Sequence, residues 1–125
     1  MNAAEKFEDL RIWQESRALV KSIYGAMRGN ARAEKDWGFR DQIQRAVISI
    51  MNNIAEGFER ESKADFARML DIAKGSSGEV RSLLYVAEDL GYIDSAMAAQ
   101  LREDARRISK GISALARHLR KDKAE

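Results

Sequence analysis

Five hydrogen-bonding side chains, Gln42, Arg45, Ser49, Asn53 and Glu56, recur at intervals of 3, 4, 4 and 3. On a helix that spacing makes one polar stripe. Beside it runs an apolar stripe, Ile43, Val47, Ile50 and Ile54, spaced 4, 3 and 4. A helix with both stripes packs against other helices while holding a polar row at or near the contact. The chemistry open to such a row is hydrogen bonding. It forms a network within a bundle or between subunits, or it lines a pocket for a ligand or RNA; the network is the first expectation. Glu79 belongs with this set, because the ridge Ile72, Ser76, Glu79, Leu83 aims it near the core. A carboxylate there needs Arg45 or an amide as partner, since an unpaired buried charge is very costly.

A second set is cationic: Arg102, Arg106, Arg107, Lys110, Arg117, Arg120 and Lys121. From residue 101 onward eight Lys and Arg stand against four Asp and Glu, so this segment carries +4 and the first hundred residues −2. Arg102, Arg106, Lys110, Arg117 and Lys121 lie mostly opposite the apolar seam Leu101, Ile108, Leu115. Such a face can track the phosphates of RNA or DNA in a salt-dependent, weakly sequence-selective way. Its commoner role is the solvated coat of a bundle helix, paired with acids on neighbouring helices.

No reaction can be read from the chain, and we expect no enzyme. A carboxylate-bridged di-metal site in a helical bundle needs Glu-x-x-His pairs on two helices. The only histidine is His118, and Leu115 occupies the place of its glutamate. Cysteine is absent, which excludes disulfides and thiolate metal sites. No serine has a general base beside it. Gly75 and Gly78 make no phosphate loop, because the Gly-Lys-Ser/Thr ending and the preceding strand are missing. Trp13, Tyr24, Trp37, Phe39 and Phe66 sit at helical spacing or helix starts and are expected in the core. No cofactor or metal is expected.

These side chains need elements to hold them. Four helices are legible, over about 10–28, 37–57, 62–90 and 95–120. Gly29 and Asn30 end the first, as residues that accept a left-handed backbone, and a short polar link follows. Asp36 is the candidate N-cap of the second, Ser62 of the third, and Asp94 or Ser95 of the fourth. The third helix buries Phe66, Met69, Leu70, Ala73, Ser77, Val80, Leu84 and Ala87; the fourth Met97, Leu101, Ala105, Ile108, Ile112, Leu115 and Leu119. The segment Gly75, Ser76, Ser77, Gly78 reads locally as a loop. Yet the apolar period holds its phase from Leu70 through Ser77 to Leu84, so we expect one unbroken helix. Its small-residue notch would let a neighbouring helix approach closely. Lys121 onward is expected to fray.

With 125 residues, no proline and only 8 glycines, the expectation is a single all-α domain, an antiparallel up-down-up-down four-helix bundle. The opening residues are partly acidic and lack the apolar stretch of a signal peptide. No apolar run reaches the length of a membrane span. The expected setting is the cytoplasm, away from membranes.

The segments FEDLRIWQ, QIQRAVISIMNNIAEGFER and FARMLDIAKGSSGEVRSLLYVAEDLGYI resemble the S23, or 23S ribosomal RNA intervening-sequence, protein family. The likeness rests on the joint motifs Q-x-x-R-A-x-x-S-I-x-x-N-I-A-E-G and A-x-G-S-x-x-E, between Phe7 and Ile93. It implies a four-helix bundle that assembles as a ring-like homopentamer. The family is also similar to the accessory protein of diversity-generating retroelements, a basic pentamer that partners a reverse transcriptase and nucleic acid. It implies no settled activity. Many members carry proline before the second helix and at the place of Met51 or Asn52; this chain has none.

Overall fold

Four polar caps set where the chain begins to coil. Asn30 Oδ1 accepts from the Ala33 N–H at 3.0 Å and Asp36 Oδ1 from the Phe39 N–H at 3.2 Å. Ser62 Oγ accepts from the Asp65 N–H at 3.0 Å, and Asp94 Oδ1 from the Met97 N–H at 2.8 Å. Each satisfies an N–H that the first helical turn leaves without a partner. In the computed structural model, which describes residues 4–123, these caps open α2 (Ala31–Lys35), α3 (Trp37–Phe58), α4 (Lys63–Asp89) and α5 (Ser95–Lys123). Before them come a 3-10 turn, Phe7–Asp9, and α1 (Arg11–Arg28).

The long helices match the expected spans to within three residues at every end. The expected link is itself one turn of helix, α2. Helix α1 does stop at Gly29, but Gly29 keeps a right-handed backbone (φ −77°) and Asn30 is extended (φ −133°). Asn30 ends the run by starting the next helix as its cap. The left-handed stop occurs instead at Gly91 (φ +74°), after α4. Helix α5 extends through Lys123, past the point from which fraying is expected; residues 124–125 lie outside the described residues.

The four long helices close a ring. Among the described residues α1 packs on α3 and α5, α3 on α4, and α4 on α5, with no packing across either diagonal. Inside it Leu19, Ile23, Ile43, Val47, Ile50, Ile54, Leu70, Val80, Leu84, Ile108 and Ile112 are buried. At about 1.5–3 kcal/mol for each such side chain, this core drives folding. The apolar stripe of α3 is therefore placed as its spacing demands, and the fold is an all-α antiparallel up-down-up-down bundle. Two expected core members fall outside. Trp37 is 72% exposed, with Arg40 held 4.8 Å above its ring. Met97 is exposed too, because Ala98 takes the inward position at the start of α5.

Helix α4 runs unbroken through residues 74–78. Only the two serines of the notch lie where α4 meets its neighbours; the two glycines do not. A Cβ added at Gly75 or Gly78 would meet nothing within 4 Å, because both glycines face outward. The close approaches lie elsewhere. A Cβ at Gly57 would come within 2.9 Å of Met69 Cβ and Phe66 Cδ1, and one at Gly111 within 2.7 Å of Ile12 Cγ2. The serines between the notch glycines make the contacts, Ser76 toward α3 and Ser77 toward α5.

Candidate nucleic-acid interface

The polar row of α3 divides by exposure. Ser49 and Asn53 are half-buried and form a small network: Asn53 Nδ2 donates to the Ser49 carbonyl at 2.8 Å and to Ser49 Oγ at 2.9 Å, and Ser49 Oγ bonds Ser76 Oγ at 2.8 Å. Gln42, Arg45 and Glu56 are exposed and lie outside it. Arg45 pairs with Asp41 at 3.7 Å, and Glu56 with Arg60 at 3.2 Å. Glu79, expected near the core, is also exposed. Ser76 turns toward α3, and Glu79, three residues on, faces solvent, so no buried partner is needed. The cleft here, about 490 Å³, is lined by Asp41, Arg45 and Glu79 among others, so charges of both signs meet in it.

Where α4 meets α5 the arrangement differs. Ser77 Oγ donates to the Ala105 carbonyl at 2.8 Å and accepts from Ser109 Oγ at 2.8 Å. This buried pair of serines fixes the register of the two helices. Among the described residues, no buried side-chain nitrogen or oxygen lacks a partner. That register brings Lys74 and Arg81 of α4 alongside Arg106, Lys110 and Arg117 of α5. With Ser109, Ser113 and Ala114 they line a groove of about 450 Å³. Among the described residues no carboxylate is in its lining. Among the described residues, none of the five cations forms an ion pair.

The remaining members of the cationic set are mostly engaged. Arg102 pairs with Glu88 at 2.8 Å and lies 3.9 Å over the Tyr85 ring. Glu88 is held below the usual carboxylate range, first by the Ser95 hydroxyl and then by Arg102. Arg107 pairs with Asp104 at 3.1 Å and reaches Glu15 at 3.8 Å. Arg120 makes a two-pronged pair with Asp71, one arm at 3.2 Å, which raises the guanidinium further. Lys121 is exposed and lines no part of the groove. Of the seven, Arg106, Lys110 and Arg117 thus converge on one groove.

Sequence reading misses the other wall. Lys74 and Arg81 lie two turns apart on one stripe of α4, with Gly78 between them. The spacing was visible; the serine pair that turns this stripe toward α5 was not. Five like charges in one groove repel one another, and an anion there relieves the repulsion. Among the described residues no group of three or more His, Cys, Asp and Glu is placed to hold a metal. No helix among them is long and apolar enough to cross a membrane.

Residues 8–114 match the family model described as 23S rRNA-intervening sequence protein. The chain belongs to that family. A protein of unknown function from the S23 ribosomal protein family of Bacteroides thetaiotaomicron, solved by crystallography, has the same fold at a TM-score of 0.77. It is 24% identical, and the superposition covers 84% of this chain and 97% of that one. No curated protein matches. Neither the family's description nor the neighbour's name indicates a reaction.

Proposed function

We propose that this intervening-sequence family member is a non-enzymatic, cytoplasmic nucleic-acid-binding accessory protein. It grips the phosphate backbone in the α4–α5 groove and presents RNA or DNA to a partner enzyme such as a reverse transcriptase. The observation that carries the reading is the set of five cations that, among the described residues, form no ion pair and line one groove without an acid. Phosphates release condensed counterions on meeting such a set, giving affinity without sequence readout. The test is an electrophoretic shift with a structured RNA at low and moderate salt. A shift at low salt that fades at moderate salt is expected; no shift at low salt refutes the reading. The retroelement role also requires a reverse transcriptase and a template repeat beside the gene.

A second reading concerns assembly: the chain forms a homopentamer. What supports self-association is the outward stripe of α4, Ile72, Gly75, Glu79, Ser82 and Val86, spaced 3, 4, 3 and 4. Ile72 is 49% exposed and Val86 39%, and Gly75 and Ser82 between them leave room for a second helix. The exposed residues Gln42 and Arg45 border the same side and would add polar contacts. In a ring the groove is repeated, and repetition raises avidity without a new contact. Light scattering giving a stable monomer at micromolar concentration refutes the ring and leaves the groove standing.

A further inference from the structure

The two walls of the groove do not stop at its last cations. On α4 the stripe Lys74, Gly78, Arg81 continues, four residues on, to Tyr85. On α5 the stripe running back through Lys110 and Arg106 continues, four residues earlier, to Arg102. The helices are antiparallel, so both extensions lie at the same end. There the Arg102 guanidinium sits 3.9 Å from the centre of the Tyr85 ring. Glu88, pairing with Arg102 at 2.8 Å, holds that guanidinium in place. Tyr85 as a residue is nonetheless 57% exposed. A ring with one face covered by a fixed cation and much of its surface open is a preorganised platform. Its natural occupant is a flat π-system carried by something anionic enough to fill the groove beside it.

We propose that the α4–α5 groove takes single-stranded nucleic acid, its phosphates along Lys74, Arg81, Arg106, Lys110 and Arg117 and one base stacked on Tyr85. This rests on the nucleic-acid reading and narrows it. A duplex hides its base faces and presents only phosphates, so it gains nothing from Tyr85. A flexible strand gains both the cationic track and the stack, the combination by which unpaired strands are held without sequence preference.

The test is fluorescence anisotropy with a labelled single-stranded RNA of about 12 nucleotides, within the usual site size for such strands, and with the blunt duplex of the same sequence. The single strand is expected to bind about fivefold or more tightly than the duplex, the least that one stacked base contributes. Tyr85→Ala should remove that advantage and leave duplex affinity unchanged, while Tyr85→Phe retains it. Tyr85 is exposed, so both variants should melt with the wild type, and circular dichroism checks this. Equal affinity for strand and duplex, with Tyr85→Ala silent, overturns the inference while the broader reading survives. Displacement of the strand by inorganic polyphosphate at equal charge, again with Tyr85→Ala silent, makes the groove a general polyanion site and also overturns it. Absence of binding to either nucleic acid at low salt removes the broader reading as well.

Discussion

Helix α5 carries two kinds of cation, and the contrast between them separates structure from function. Arg102, Arg107 and Arg120 each reach a carboxylate within 3.2 Å. Arg106, Lys110 and Arg117, on the same helix, reach none among the described residues. The seam between α4 and α5 sharpens the point. There the serine pair and the apolar side chains satisfy every buried group, while the groove one residue row away concentrates like charge. A cation answered by a neighbouring acid contributes to holding the bundle. One left among other cations gains no such contact; in the proposed function it meets an anion instead.

Stability and binding should therefore come apart by position. The largest effect is expected at the seam: Ile112→Ala removes a fully buried side chain and should cost about 2–5 kcal/mol in urea unfolding. Arg106→Gln and Lys110→Gln, in the groove, should stay within about 0.5 kcal/mol of wild type. A large loss from either groove variant would break the distinction.

Glycines give the next contrast. Gly57→Ala forces a methyl against Met69 and Phe66 and should destabilise by about 1–3 kcal/mol. Gly78→Ala meets open space and should stabilise by about 0.5–1 kcal/mol through helix propensity. Thermal melts of the pair decide it.

Ser77→Ala leaves the Ala105 carbonyl and the Ser109 hydroxyl without their partner, and about 1–2 kcal/mol should be lost. Ser77→Ala combined with Ser109→Ala should cost less than the sum of the two, which a double-mutant cycle measures.

The smallest effect concerns the α2–α3 corner. Tyr92 Oη donates to Asp36 Oδ2 at 2.6 Å and, with the Phe39 N–H, holds Asp36 below its usual range; the same contact holds the Tyr92 hydroxyl above its own. A carboxylate with a lowered folded pKa stabilises above the unfolded value, about 3.9, and loses that contribution as pH falls through the folded one. The phenol, raised above about 10, stabilises below that pH and loses its contribution as pH rises through the folded value. Asp36→Asn should flatten the acid side of the melting-temperature profile below about pH 4. An unchanged acid limb would remove Asp36 as its source.

What the sequence made legible follows from periodicity. Ile43, Val47, Ile50 and Ile54 announced their helix and their burial, because apolar spacing is a local signal that packing only confirms. Continuity of α4 was readable in the same way, against the local evidence of its two glycines. The polar features were harder. Spacing put Glu79 on a ridge with the half-buried Ser76 and the buried Leu83, but it could not say on which side of the α3 contact the ridge falls. The groove was half visible: Arg106, Lys110 and Arg117 were marked as cationic, yet they looked no different from Arg102 and Arg120. Only the partners across the bundle, Glu88 and Asp71, tell them apart. Lys74 and Arg81 were hidden because their role depends on which helix faces Ser77.

The salt dependence of binding by a short single-stranded RNA tests the claim about these cations most directly. Five groove cations meeting phosphates give a slope of log affinity against log salt of about −3.5, at about 0.7 for each phosphate neutralised. The combined variant Arg106→Gln, Lys110→Gln should bring it to about −2. A slope near zero for the wild type, or the same slope for the variant, would contradict the assignment of the groove.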